Sequence, residues 1–194
     1  NNNGMLYRLV FSILNVLQPN EKYERAIKAC DNLGKVYEAN KAKFAESAKA
    51  FGKKYENNKL IYTMSSGPCY GVAYSFAICL LQEMQWIHSG TIHTGEFFHG
   101  PFEVTDANTP FVIQVSEGST RELDERCLKF LHTYAKRIEV LDAKELGLSV
   151  IDPAVVDYFN HSLFNNVYPI YNHALAETRQ HPLTTRRYMW KVAY

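Results

Sequence analysis

From residue 5 to residue 17 the chain reads MLYRLVFSILNVL, apolar on nearly every side of a helical projection. A helix of that kind is expected to be buried, under the rest of the protein or against a partner. Pro19 and Asn20 stop the run, and Asn20 followed by Glu21 and Glu24 has the form of a new helix start, an N-cap with an acidic first turn. Tyr23, Ile27, Cys30, Leu33, Tyr37, Phe44, Ala48, Phe51 and Tyr55 then recur at steps of three, four or seven, with Lys and Glu between them. That spacing predicts one long amphipathic helix or a pair of them, ended by ENNK at 56–59.

The pattern changes at Leu60. Leu60 to Met64 predicts a buried strand, Ser65-Ser66-Gly67 a turn, and Pro68 to about His88 a helix. Pro68 suits a first helical turn, where its missing N–H costs nothing. The stretch from Thr94 to Thr105, TGEFFHGPFEVT, fits neither element, because Gly-Pro is avoided inside strands and helices alike. It predicts a loop with an aromatic underside. TPFVIQVS is a second strand and RIEVLDA a third. Between them EGSTRELDERCLKFLHTYAKR predicts a helix, capped by Ser119 or Thr120, with Leu123, Cys127, Phe130, Leu131 and Tyr134 on its apolar face. Residues 152–180 read as helical, kinked or split at Pro169. The tail HPLTTRRYMWKVAY is short, basic and aromatic, suited to docking on the domain or on a partner.

Strands alternating with helices imply an α/β fold with a mainly parallel sheet and helices on both faces. The predicted division is a helical segment at 1–57 and an α/β domain with its tail at 58–194. In such sheets ligands bind beyond the carboxyl ends of the strands. Those ends are Ser65-Ser66-Gly67, Ser116 to Thr120, and Asp142-Ala143.

Composition narrows the classes. The 194 residues, 46% hydrophobic with a formal charge of +1, describe one ordinary globular domain with a real core. There is no basic run for nucleic acid, and no apolar segment long enough for a bilayer. The cysteines at 30, 69, 79 and 127 form no C-x-x-C pair, which suits free thiols in a reducing cytoplasm. The start lacks a basic leader and a cleavage site, and its abrupt apolar run suggests a piece of something longer.

The candidate chemistry has bland alternatives. Ser65-Ser66-Gly67 opens a helix, where N–H groups favour an anion, but a plain turn would look the same. SEGSTREL repeats the theme and reads equally as a cap. His88, His93 and His99 lie close in sequence with Glu96 among them, but their spacing matches no zinc motif, so no metal and no cofactor is expected. Glu83 sits in a helix otherwise rich in Ala, Leu, Ile, Phe and Met. It is either an exposed glutamate or a sheltered general base, and Glu96 poses the same question in a loop.

Together, YTMSSGPCYGVAYSFAICLLQEMQWIHSGTIHTGEFFHGPFE and the C-terminal HPLTTRRYMWKVAY resemble a sugar isomerase (SIS) domain, a three-layer α-β-α fold, with the N-terminal helices preceding it. The phrase G-E-x-x-H-G-P appears as Gly95-Glu96-Phe97-Phe98-His99-Gly100-Pro101. It is similar to the second of two SIS domains in glucosamine-6-phosphate synthase, and the L-x-E-M-x-W helix with its aromatic tail resembles the fructosamine 6-phosphate deglycases. The resemblance covers residues 20–194 and is strongest over 60–105. It implies catalysis by a helical glutamate and the histidine of the H-G-P loop, which match Glu83 and His99. Glu96 and Gly100 become loop-ordering residues, and Ser65, Ser66, Gly67, Arg187 and Tyr188 substrate-binding ones.

The departures are informative. The synthases carry a lysine three residues before the glutamate, where this chain has Leu80, which argues against glucosamine synthesis. No S-x-S-G-x-T phosphate loop occurs. Since the family usually pairs two SIS domains, the chain resembles the C-terminal one, with an N-terminal SIS domain absent from it. The resemblance further implies a phosphorylated sugar-amine substrate, a homodimer with a shared active site, and a cytoplasmic enzyme that hydrolyses a fructosamine 6-phosphate to glucose 6-phosphate and an amine. A phosphosugar isomerase and a non-catalytic phosphosugar-binding module are the alternatives.

Overall fold

Asn20 starts the longest helix as its sequence predicts: its side-chain Oδ1 accepts from the Lys22 N–H at 2.8 Å. The structure, a computed structural model, describes residues 2–193; Tyr194 of the predicted tail lies outside the described residues. The helix opened by Asn20 is continuous, α2 (Glu21–Tyr55), preceded by α1 (Asn2–Leu17). Then follow β1 (Leu60–Ser65), α3 (Cys69–Ser75), β2 (His88–His93), β3 (Pro110–Val115), α4 (Arg121–Tyr134), β4 (Arg137–Asp142) and α5 (Asn160–Thr178). The helix of α3 does not stop at Ser75 but widens into a π-helical stretch, Phe76–Met84.

The four strands form one parallel sheet in the order β2-β1-β3-β4. Alternation along the strands divides the core in two. Ile61, Val112 and Leu141 belong to the apolar cluster of α2, α3 and α5, with Phe44, Phe51 and Phe164. Met64, Phe111, Ile113 and Val115 belong to a second cluster with Phe97 and with Cys127 and Leu131 of α4. The sheet is thus the middle of three layers. Gly52 allows α2 to lie close against α5: a Cβ there would stand 2.7 Å from the Ala174 carbonyl oxygen. At the other side, the Arg121 guanidinium forks onto the Asp142 carboxylate at 2.9 and 2.7 Å, tying α4 to the end of β4. Burial pushes Asp142 up, but the bonds from Arg121 and the Lys144 N–H outweigh it and hold the carboxyl below its usual range.

Three sequence expectations need correction. The helix predicted to reach His88 ends at Met84, and Trp86, in the left-handed region at φ 54°, turns the chain. His88 instead begins β2, an edge strand whose sequence HSGTIH hides it, since Ile92 is its one large apolar residue and its one buried residue. The helix predicted over 152–180 occupies only Asn160–Thr178, after a 3-10 turn at Val156–Tyr158, and it runs through Pro169. Finally, α1 is not buried under the domain: Phe11 packs on Tyr23, Tyr158 and Phe159, but Met5, Leu6, Leu9, Ile13, Val16 and Leu17 are exposed.

All four cysteines are free, as expected. Burial pushes the Cys69 thiol up to about 12, with Asp124 and Asp157 adding to it, so it is inert as a nucleophile. Among the described residues no helix is long and apolar enough to cross a membrane.

Candidate functional site

A π-helical stretch carries more residues per turn than an α-helix and is found mostly at functional sites. Here it delivers Glu83 to its last turn, beside the amino ends of β1 and β2. A cleft of about 630 Å³ opens there, walled by Tyr62, Glu83, Trp86, His88, Arg186 and Arg187. The site that the fold class leads one to expect lies at the opposite, carboxyl ends of the strands.

The tail supplies the far wall. The Arg186 guanidinium sits 2.9 Å from Oε1 of Glu83, with the arginine side chain 11% and the glutamate 29% exposed. Arg187 stacks on the Trp86 ring at 4.3 Å. The tail is anchored upstream: the Gln85 amide donates to the His181 carbonyl at 3.1 Å, and the His181 ring meets Trp86 edge-on at 4.6 Å. Burial, and then the neighbouring Arg179, lower the His181 pKa below 6.5. The sequence pointed to Arg187 and Tyr188, and both line the cleft. It missed Arg186, whose signal was the doubled arginine in an aromatic tail.

His99 lies elsewhere. The loop after β2 forms 3-10 turns at Phe97–His99 and Pro101–Val104, joined by Gly100 at φ 142°, which an L side chain rarely adopts. Phe97 is fully buried, and Phe98 and Phe102 pack with it around Phe130 of α4. Glu96 does order the loop, but through its backbone: its N–H donates to the His93 carbonyl and its carbonyl accepts from the His99 N–H. His99 is exposed on this platform. The platform packs on the Met64 and Phe111 face of the sheet, whereas the helix of Glu83 packs on the Ile61 and Val112 face. Within one chain Glu83 lies by the amino ends of β1 and β2, whereas His99 lies on the loop that follows the carboxyl end of β2.

The Ser65-Ser66-Gly67 turn is closed rather than open. Ser65 and Ser66 are fully buried, the Ser66 hydroxyl donates to the Thr120 carbonyl at 3.3 Å, and a Cβ on Gly67 would meet Thr120 at 3.1 Å. Beyond the ends of β2 and β3 lies the fully buried carboxylate of Asp124. It accepts from the Thr94 hydroxyl at 2.8 Å, the Ser116 N–H at 2.9 Å and the Ser116 hydroxyl at 2.7 Å. Asp124 was also missed, although it lies three residues before Cys127 on the apolar side of α4. His88 and His93 begin and end β2, and among the described residues no group of three His, Cys, Asp or Glu side chains converges as a metal site.

No family profile matches the chain. Its relatives are specific nonetheless. It is 50% identical over 193 residues to the fructosamine deglycase FrlB of Bacillus subtilis, covering 100% of this chain and 59% of that protein. It is 27% identical over 147 residues to the fructoselysine 6-phosphate deglycase of Escherichia coli, covering 74% of this chain and 42% of that one. A crystal structure from Bacillus subtilis assigned to the phosphosugar isomerases superposes on all of the chain with a TM-score of 0.92 and 49% identity, over 59% of its own length. The chain therefore spans about half the length of the curated relatives it matches. An alignment that keeps half of the residues from end to end, with the three-layer fold superposed throughout, shows that the chain belongs to the sugar isomerase (SIS) domain family.

Proposed function

We propose that this chain is the glutamate-bearing SIS domain of an enzyme that hydrolyses a fructosamine 6-phosphate to glucose 6-phosphate and a free amine. The observation that carries the reading is the sheltered carboxylate of Glu83, held by Arg186 at the wall of an open cleft. Both curated relatives above bear deglycase names.

The chemistry consists of proton transfers followed by the addition of water. His99 moves a proton onto the ring oxygen, and the sugar opens to its C2 ketone. Glu83 takes a proton from C1, which carries the nitrogen; the electron pair forms the C1–C2 double bond as the C2 carbonyl π bond breaks and its oxygen takes a proton, giving an enaminol. Return of a proton to C2 gives an imine between C1 and nitrogen. Water adds to C1, and the C1–N bond breaks with a proton passing to the departing amine. A carboxylate and an imidazole suffice for each transfer.

Since one chain holds Glu83 and His99 at opposite ends of β2, the pair is drawn from two copies in this reading. The site then lies between subunits of a homodimer, and the apolar face of α1 joins the covered surface. Arg187, exposed on the cleft wall, is the cation available to the substrate's anionic groups. The Ser65 and Ser66 side chains are buried in the interior and serve the fold, and the phosphate is held in part by the enzyme's remaining length.

The test is a coupled glucose 6-phosphate assay on the full-length protein with fructoselysine 6-phosphate, alongside amine detection. Glucose 6-phosphate and free lysine should appear in equal amounts. An interconversion of sugar phosphates without amine release would make the protein an isomerase, and binding without turnover would make it a sensor.

A further inference from the structure

Glu83 stands in the last turn of its helical stretch. The helix end is the negative pole of the backbone dipoles, so a carboxylate there is disfavoured unless a cation compensates it. The compensating cation does not come from the same helix but from the tail. Before it reaches Glu83, the Arg186 guanidinium is already fixed: Nη1 donates to the Leu183 carbonyl at 2.6 Å and to the Thr185 carbonyl at 3.0 Å. Its flat face stands 5.8 Å from the Trp190 ring. Nη2 faces Glu83 and pairs with Oε1 at 2.9 Å. A planar fork pinned on one edge can hold a carboxylate at a set position with little further loss of side-chain freedom.

We propose that Arg186 is the positioning residue of the site: it orients the Glu83 carboxylate through Oε1 and leaves Oε2 to take the substrate proton. The inference rests on Glu83 being the base, and it gives the tail a defined role. The tail sets the geometry of the base, so the carboxylate is aimed only while residues 183–190 are docked. Both tryptophans of the chain sit at this junction, Trp86 under Arg187 and Trp190 beside Arg186, so intrinsic fluorescence reports docking directly.

The test compares Arg186→Ala, Arg186→Lys, Glu83→Gln and the double variant Arg186→Ala with Glu83→Gln in the full-length enzyme. A base misplaced by about an ångström costs on the order of 10²-fold in rate. Arg186→Ala should therefore lower kcat about 100-fold while KM stays within about threefold. Arg186→Lys should fall between it and wild type, since an ammonium cannot keep the fork. Guanidinium, added at concentrations too low to unfold the protein, should restore part of the Arg186→Ala activity. The double variant should be no slower than Glu83→Gln alone, because both changes act on one group. Tryptophan emission should shift in Arg186→Ala and return with guanidinium.

Normal kcat in Arg186→Ala, with Glu83→Gln inactive, overturns the positioning role and leaves the base reading intact. Activity lost but not recovered by guanidinium also overturns it, by assigning Arg186 to the fold. Turnover by Glu83→Gln sinks the base reading itself, and the inference with it.

Discussion

Glu83→Gln in the full-length enzyme is expected to lower kcat for glucose 6-phosphate release by about 10²–10⁴-fold, the range over which a positioned general base contributes. Glutamine has the same shape, but its amide oxygen is too weak a base to take the C1 proton. The cleft around it should persist, because Trp86, His88 and Arg187 are held by contacts of their own. The fold should stay intact by near-UV circular dichroism, and substrate should still protect the protein in a melting assay. KM should change little, since the loss falls on a transition-state interaction. Turnover near the wild-type rate would remove Glu83 from the mechanism.

The largest effect on stability is expected at Asp124, outside the cleft. Its carboxylate is fully buried and accepts from the Thr94 hydroxyl, the Ser116 N–H and the Ser116 hydroxyl. These groups come from the ends of β2 and β3, so one side chain joins two strands and α4. Asp124→Ala removes the acceptor and strands the donors in the interior, at a cost of about 3–5 kcal/mol. In a domain of this size each kcal/mol moves Tm by about 2–4 °C, so a fall on the order of 6–20 °C is expected by calorimetry. Asp124→Asn keeps the volume and one acceptor oxygen and should lose roughly half as much. A fall below about 2 °C in Asp124→Ala would show that water or relaxation satisfies the donors, contrary to the full burial described above.

What the sequence disclosed follows from what each residue has to do. β1 and β3 are the central strands and their apolar runs announce them, and β4, though an edge, still carries Ile138, Val140 and Leu141. β2 is an edge, paired on one side only, and HSGTIH carries almost no apolar signal. The end of the preceding helix was hidden for a related reason. It stops without glycine, by placing Trp86 in the left-handed region, where the ring gains Arg187 and His181 as neighbours. The spacing of Glu83 and His99 reproduced a family pattern, yet spacing cannot say at which end of a strand each residue stands. That needed β2 and the loop packing of Phe97, Phe98 and Phe102. The turn Ser65-Ser66-Gly67 had the right chemistry for an anion, but local sequence does not reveal that both serines are buried and that Thr120 packs on Gly67.

Arg186 was invisible for a simpler reason: its ion pair joins the tail to a helix far away in sequence, and no local rule links them. The apolar run of α1 carries no signal for which residues the fold covers: Phe11 is buried, while Met5, Leu6, Leu9, Ile13, Val16 and Leu17 face outward.

The most direct measurement is complementation between two inactive variants of the full-length enzyme, Glu83→Gln and His99→Ala, purified separately, dissociated and reassembled together. If each site takes its glutamate from one copy and its histidine from the other, half of the randomly formed dimers are mixed, and each contains one intact site. Activity should then return to about a quarter of wild type, the share fixed by two-fold symmetry. No activity above that of the separate variants would contradict a site shared across the dimer by Glu83 and His99.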